Sequence, residues 1–374
     1  MKNCSFMGIK ILIINWRDIR NPEAGGAEMY YHEIFRRIVS KGYEVTVFAH
    51  SFEGAPSCEI VDGIRVIRKG NKFLFNFAAV GFLLRNQDQY DLIIEDINKI
   101  PFFTPLYVHR LRMHMVMHFF RESIFRETNF LFASYVYFME SMVSVFYRKE
   151  RMVAISESTS EDIQKLGISK EKISIVEPGI DISYFYPSQP KSRPPLLVYI
   201  GRLMKYKNVQ FIIKALPELR KRVAGVTLEI GGWGDYIDEL RKIAVENGVA
   251  DAVVFSGRIS EEYKRDLLSK ASIFVNPSAK EGWGINNIEA NLCGTISLSS
   301  NVAGLRDSVQ DGVTGLLYEP DNVHDFCEKA VSVLLDPARR EILEKNALQR
   351  ARELSWDKIS DKMEKLIRPL QTTS

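Results

Sequence analysis

The densest chemistry in this sequence lies at Glu281-Gly-Trp-Gly-Ile-Asn-Asn-Ile-Glu289, where two carboxylates bracket two glycines and a tryptophan. An apolar run, Ile273 to Val275, precedes it and stops at Asn276-Pro277-Ser278, and a helical pattern begins near Ile285. Gly282, Trp283 and Gly284 therefore fall between a strand end and a helix start. Unbonded N–H groups around Gly284, Ile285 and Asn286 would face an anion such as phosphate. Glu281 lies before the helix and Glu289 about one turn inside it, so the two reach different parts of one ligand. Acids near helix starts also serve as plain dipole partners. The glycine pair, Trp283 and the following Ala290-Asn-Leu-Cys-Gly294 weigh against so simple a role.

A second cluster, Gly201-Arg-Leu-Met-Lys-Tyr-Lys207, follows the apolar run Leu196 to Ile200. Arg202 and Lys207 leave one strand end together, with Lys205 between them. Two cations beside a sheet crevice suit a diphosphate, arginine by its fork and lysine as a point charge; by itself the segment equally fits a solvated basic loop. A third cluster, Asn21-Pro-Glu-Ala-Gly-Gly-Ala-Glu28, opens the first helix. Gly25 and Gly26 let backbone N–H groups approach a ligand there, although a Gly-Gly pair alone is more often only a turn. Three of the six histidines fall at 109, 114 and 118. His118 ends an expected strand and so reaches a crevice, while His109 and His114 take the structural reading.

What is missing narrows the chemistry further. No Gly-Lys dipeptide occurs, hence no Walker loop, and there is no G-x-G-x-x-G dinucleotide fingerprint. Asp-x-Asp is also absent, which removes the usual carboxylate pair for a divalent ion on a sugar nucleotide. A diphosphate held here must be neutralised by arginine, lysine and backbone dipoles, with no metal and no cofactor expected.

These clusters need elements to hold them. Apolar runs at Ile9 to Asn15, Glu44 to Ala49, Gly63 to Arg68, Tyr90 to Glu95, Met115 to His118 and Arg151 to Ile155 alternate with helical patterns such as Glu28 to Ser40 and Glu157 to Leu166. That order predicts an α/β fold with a mostly parallel, helix-covered sheet. Tyr186 to Pro195 carries four prolines and no periodicity, as an interdomain linker would. The alternation then resumes at Leu196 to Ile200, Thr227 to Gly231, Ala252 to Phe255, Ile273 to Val275 and Thr295 to Leu298. Two doubly wound α/β domains follow, 1–186 and 187–354, each offering a crevice at the carboxyl ends of its strands, with the small-molecule site expected in the cleft where they face one another.

Composition agrees. The chain has 374 residues, too many for one ordinary core, with 46% hydrophobic and 26% charged residues, which excludes disorder, collagen and coiled coil. A formal charge of +3 is too even for a protein that coats nucleic acid, so no nucleic-acid partner is expected. No run of 18 apolar residues is free of charge. The start of the chain, Lys2 to Trp16, fits a first strand better than a signal peptide, and the four cysteines (58, 293, 327 and Cys4) show no C-x-x-C spacing. A cytoplasmic protein with reduced thiols is the expectation.

With these residues in place, the chain resembles the retaining glycosyltransferases of family 4, the glycosyl transferases group 1, whose fold is GT-B: two Rossmann-like domains facing across a cleft. The resemblance rests on Gly-Gly-Ala-Glu28, the Gly-Arg-x4-Lys of residues 201–207, the Glu-x7-Glu of 281–289, Ala303-Gly304-Leu-Arg-Asp307, Asp311-Gly-Val-Thr-Gly315 and Ser355-Trp356. It implies that the 187–354 domain binds a nucleotide sugar and the 1–186 domain an acceptor. Arg202 and Lys207 would clamp the diphosphate, Glu289 would take the ribose hydroxyls, and Glu281 those of the transferred sugar. N–H groups near Gly284 and Ile285 would complete the anion site, Gly26 would reach the phosphate, His118 would lie beside the sugar, and residues 355–374 would form a helix crossing back to the first domain. The chain departs from the family pattern at Glu177-Pro-Gly-Ile-Asp181 and at Asn286-Asn287.

The reaction expected is metal-independent transfer of a hexose from a UDP- or GDP-linked donor to a glycan or lipid-linked acceptor. The catalytic set is His118, Glu281, Arg202 and Lys207; Glu281 fits a partner of sugar hydroxyls better than a nucleophile. Two rivals share much of this outline: a non-catalytic sugar-nucleotide-binding subunit and a phosphorylase-like enzyme of the same fold. Residues 99–151 carry eight Lys and Arg against four Glu, interleaved with aromatics. They fit either a peripheral contact with anionic membrane on its cytoplasmic face or an ordinary buried helix over Phe130 to Tyr147.

Overall fold

The computed structural model describes residues 8–98, 100–126 and 128–368. Cys4 and Lys99, named above, lie outside them. The chain divides into two compact units, Met1–Gly179 with Trp356–Ser374, and Ile180–Ser355.

The first unit is built on a sheet of β1 (Lys10–Ile14), β2 (Glu44–Ala49), β3 (Cys58–Val61), β4 (Ile64–Arg68), β5 (Leu92–Ile97), β6 (Leu111–Val116), β7 (Met152–Ala154) and β8 (Ile173–Ile175). Their spatial order is β3-β4-β2-β1-β5-β6-β7-β8. Every pairing is parallel except β3 with β4. Ile11 to Ile14 are wholly buried, as a strand covered on both faces demands. The helices are α1 (Gly26–Ser40), α2 (Phe75–Asn86), α3 (Phe130–Ser141), the short α4 (Val143–Phe146) and α5 (Glu157–Lys165). Ser156 caps α5, its hydroxyl accepting the Thr159 N–H at 3.0 Å. The β3–β4 hairpin turns on Asp62-Gly63, both with positive φ, the geometry a two-residue connection between twisted strands requires.

The second unit is a six-stranded parallel sheet of β9 (Leu196–Ile200), β10 (Thr227–Gly231), β11 (Val253–Gly257), β12 (Ile273–Asn276), β13 (Ser297–Ser300) and β14 (Gly315–Tyr318), in the order β11-β10-β9-β12-β13-β14. Its helices are α6 (Val209–Arg222), α7 (Ile237–Glu246), α8 (Glu261–Lys270), α9 (Ile285–Leu292), the short α10 (Leu305–Ser308), α11 (Val323–Leu334) and α12 (Pro337–Glu353). Both sheets are doubly wound. Winding reverses between β1 and β5 in the first unit and between β9 and β12 in the second, which opens a crevice at the carboxyl ends of those strands.

The segment Tyr186 to Pro195 belongs to the second unit. Ser188 donates its N–H to Ser269 Oγ (3.0 Å) and its hydroxyl to Asp266 (2.6 Å), and the Ser192 N–H bonds the Lys270 carbonyl. A proline-stiffened strap bonded to α8 stands where composition suggested an interdomain linker. The unit boundary falls at Gly179–Ile180.

The last helix, α13 (Trp356–Ile367), lies against α1. Arg37 of α1 and Lys41, which caps its end, pair with Asp357 (2.6 Å) and Glu364 (2.8 Å), and the Ser360 hydroxyl donates to the Ile34 carbonyl. Trp356 packs on Gly179 so closely that a Cβ there would overlap the indole ring.

Helix α3 corrects the buried-helix reading of Phe130 to Tyr147. Only its inner stripe, Ala133, Val136 and Glu140, is buried, whereas Phe130 is 73% and Leu131 80% exposed.

Replacing Gly179 by alanine inserts a methyl group into the Trp356 ring, and overpacking of this kind costs roughly 1–3 kcal/mol. The first unit should then melt several degrees lower while the melting of the second is unchanged. An unchanged melting curve would show that α13 does not depend on this contact.

Candidate functional site

Three loops leave the carboxyl ends of β9, β10 and β12 and meet through backbone. Gly201 N–H donates to the Gly231 carbonyl (3.0 Å) and Leu203 N–H to the Trp233 carbonyl (2.8 Å). A Cβ at Gly232 would overlap the Gly201 carbonyl, and one at Gly234 would meet Leu203 backbone. Gly232 and Gly234 also adopt φ of 150° and 155°, which L-residues rarely take. On the far side, a Cβ at Gly304 would overlap the Glu281 carbonyl oxygen, and one at Gly284 would lie 2.7 Å from Leu305 Cδ2. The turn 281–284 is thus pressed between the β9 loop and the start of α10.

Lys207 and Glu281 are brought together. Lys207 Nζ lies 2.5 Å from Glu281 Oε1, which also accepts the Ser278 hydroxyl at 2.8 Å. The Ala279 N–H bonds the Tyr206 carbonyl, locking the two loops in register. Gly284, with φ 77°, is the N-cap of α9, and Asn286 in the first turn donates to the Ile200 carbonyl at 2.7 Å. That bond pins the positive end of the helix dipole to the last residue of β9, two positions before Arg202. Arg202 is exposed, and its guanidinium has no partner among the described residues. The Trp283 indole N–H is buried without an acceptor among them. A free guanidinium, a paired ammonium, a helix N-terminus and an unsatisfied N–H make an environment for an oxygen-rich anion.

Glu289 looks elsewhere. Its carboxylate lies 2.6 Å from Lys264 Nζ on α8, and burial pushes its pKa above the ordinary carboxylate range against the pull of that lysine. Glu281 and Glu289 therefore face different neighbours, the loop after β9 and α8. Asn287, one of the unexpected pair, is wholly buried, donating to Ser308 Oγ (2.9 Å) and accepting from Ser299 Oγ (3.2 Å). An amide suits this position because β13 offers hydroxyls where an apolar side chain would strand them.

In the first unit, Gly25 precedes α1, and its N–H is already taken by the Glu28 carboxylate at 2.7 Å. The Gly25 N–H is satisfied by its own helix, since a carboxylate three residues on closes the turn. A Cβ on Gly26 would meet nothing within 4 Å, so the fold itself does not require glycine there and the space stays open. His118 follows β6, its ring 4.6 Å from that of Phe120. His109 pairs with Asp88 on the surface. His114 is wholly buried between Glu95 (3.2 Å) and Glu150 (3.3 Å), a structural position. Asp96, at the end of β5, accepts the Tyr31 hydroxyl at 2.9 Å; its other oxygen is buried without a partner, and burial pushes its pKa up to about 8.

The loop Gly231-Gly-Trp-Gly234 was missed by sequence reasoning, although three glycines in four residues directly after a strand repeat the signal of the 281–284 turn. Trp233 is half exposed beneath the Arg258 guanidinium, 4.7 Å from its ring centre. Among the described residues no group of three or more His, Cys, Asp or Glu side chains could hold a metal ion.

Two families match the chain in succession: Glycosyltransferase Family 4 over residues 24–184 and Glycosyl transferases group 1 over residues 184–350. A glycogen synthase of Mycobacterium tuberculosis is 33% identical over 215 residues, 56% of this chain and 52% of that protein. The chain thus spans about half the length of that relative. A D-inositol 3-phosphate glycosyltransferase of Thermomonospora curvata is 26% identical across 91% of this chain and 90% of its own. Among solved structures, sucrose-phosphate synthase from Thermosynechococcus elongatus superposes with a TM-score of 0.75 at 22% identity, covering 98% of this chain and all of its own. Anabaena HepE in complex with UDP and glucose gives 0.70 at 18% identity, over 96% of this chain and all of its own.

Gly304→Ala should force the 281–284 turn away from α10 and weaken anion binding at the start of α9, while Gly26→Ala leaves the fold intact; calorimetry and thermal melts of both variants check this. A second outcome concerns pH. An Asp96 carboxyl that binds its proton more tightly folded than unfolded stabilises the first unit below about pH 4, and that contribution is lost as pH rises through about 8. Asp96→Asn should therefore flatten the fall in melting temperature across that window, and parallel slopes for both proteins would contradict the assignment.

Proposed function

The chain belongs to the family 4 glycosyltransferases of GT-B fold, and from that premise we propose that it moves a hexose from a UDP- or GDP-linked donor to a glycan or lipid-linked acceptor hydroxyl, with retention and without a metal ion. The second unit takes the nucleotide sugar and the first the acceptor. One observation carries this reading: Arg202 leaves β9 unpaired beside the α9 N-terminus that Asn286 pins to the same strand, with Lys207 alongside on Glu281. Cation and helix dipole converge where a leaving diphosphate would develop charge, and fixed charge of that kind is worth most in catalysis.

In this reading Arg202 grips the diphosphate by its fork and Lys207 turns from Glu281 to the same anion. Glu281, released, accepts hydroxyls of the transferred sugar, with Ser278 orienting its carboxylate. N–H groups of Gly284 and Ile285 complete the cradle, Gly282 and Trp283 line it, and the indole N–H finds its acceptor there. Glu289 receives the ribose hydroxyls. In the first unit we assign substrate contacts to His118 and Gly26. The acceptor hydroxyl attacks from the face the leaving group vacates, which preserves the anomeric configuration. The structural neighbour in complex with UDP and glucose supports a nucleotide-hexose as the donor class.

Arg202→Ala should lower turnover by about 10²-fold or more, the scale of losing one charge-stabilising donor, with little change in melting temperature because the residue is exposed. Near-normal turnover would reject its role. Screening UDP-, GDP- and ADP-sugars by thermal shift identifies the donor, NMR of the product anomer tests retention, and activity retained in a chelator tests metal independence.

A further inference from the structure

Helix α3 is inside out. Its one carboxylate, Glu140, is buried and accepts the backbone N–H groups of Phe120 and Arg121 at 2.8 Å each. Phe130, Leu131, Phe132, Tyr135 and Phe138 all stand exposed. Asn129 caps the helix, its side chain accepting the Phe132 N–H at 3.0 Å, so the aromatics occupy a fixed first turn. Exposed residues of this size in one helix are far more than the scattered apolar surface of an ordinary soluble face.

A second set stands at the start of α2, where Phe73 is 82% and Phe77 76% exposed, with Leu74 beside them. The crossovers β4–α2–β5 and β6–α3–β7 run the same way across the sheet, so right-handed connection puts both helices on one face, each beginning at the carboxyl ends of the strands. Loop residues tie the two regions together: Asn76 of α2 donates to the Pro101 carbonyl, and the Phe103 ring packs on Phe146 of α4.

Two cations stand beside these projections. Lys72 lies over the Phe73 ring, 3.9 Å from Glu23, and Arg121 lies over Tyr137 with its guanidinium paired to no carboxylate among the described residues. Two carboxylates of the 99–151 segment are turned away: Glu140 inward, and Glu150 onto Arg112 and His114. A second copy of the chain would set like charge against like across a two-fold axis. Separated apolar projections also lack the continuous relief that a folded protein partner fits. A fluid anionic surface meets both conditions, because lipid yields around each projection and its headgroups answer the cations.

We propose that α3 and the start of α2 insert into the interface of an anionic lipid bilayer, docking the first unit on a membrane surface. The proposal concerns where the protein works, and its surface is separate from the residues assigned to the donor.

The test is co-sedimentation of the full chain with vesicles of phosphatidylglycerol and phosphatidylcholine, and with phosphatidylcholine alone, at low and high salt. Binding should favour the anionic vesicles and weaken with salt. Phe130→Ser with Leu131→Ser should reduce it by at least about tenfold, given the apolar area lost, and Phe138→Ser, a separate exposed site, should reduce it by less. The thermal shift with a nucleotide sugar should stay unchanged in these variants, which separates this surface from the donor site and verifies folding. Wild-type protein that ignores anionic vesicles, variants that bind as well as wild type, or a concentration-dependent dimer abolished by the double substitution would each overturn the proposal.

Discussion

The second unit depends on backbone meeting backbone where no side chain can intervene. Gly232 lies on the Gly201 carbonyl and Gly304 on that of Glu281, each with a positive φ that glycine alone takes without strain. These contacts set the heights of the three loops above the sheet. Once they are fixed, Ala279 finds the Tyr206 carbonyl, Asn286 finds Ile200, and Lys207 comes within 2.5 Å of Glu281. The polar contacts follow from the packing, because a long lysine adapts to a fixed carboxylate whereas an overlapping Cβ cannot adapt at all.

Much of this arrangement was legible in the sequence. Strands such as Glu44–Ala49, Leu196–Ile200 and Thr227–Gly231 were found at their true limits, since β-branched and other apolar residues concentrate in strands buried on both faces. β6 begins earlier than expected, at Leu111, because Arg112 and His114 interrupt the run; their polar ends are absorbed by Glu150 and Glu95, partners far along the chain. β3 and β8 escaped because they are short and lie at the sheet edges, where only half the pattern is apolar. The proline-rich segment 186–195 misled for a different reason: composition reports stiffness, and whether a stiff strap is free or bonded depends on α8, which lies beyond any local window.

At the candidate site, residue types identified the cations and carboxylates, but spacing could not say which would pair. Lys207 meets Glu281 while the Arg202 guanidinium pairs with none of the described residues, and Glu289 turns to Lys264, a residue with no distinguishing local signal. Gly25 and Gly26 looked equivalent, yet one N–H is consumed by Glu28 and the other position stays open. The aromatics of 130–138 carried an ambiguity that sequence cannot resolve, since a helix apolar on every side looks the same whether its outer face is covered or bare. Glu140 decides it by turning inward.

The first unit begins with β1 and is closed by α13, so its segments flank the whole of the second unit in the chain. During synthesis the stretch from Ile180 to Ser355 emerges uninterrupted and holds every strand of its own sheet. The earlier unit must wait, with the α1 surface that receives Trp356, Ser360 and Glu364 uncovered, until Trp356 to Ile367 have left the ribosome. Birth order and order of completion are therefore reversed: the part made first is finished last, and a chain cut short after Ser355 would carry a completed second unit beside an unsealed first one.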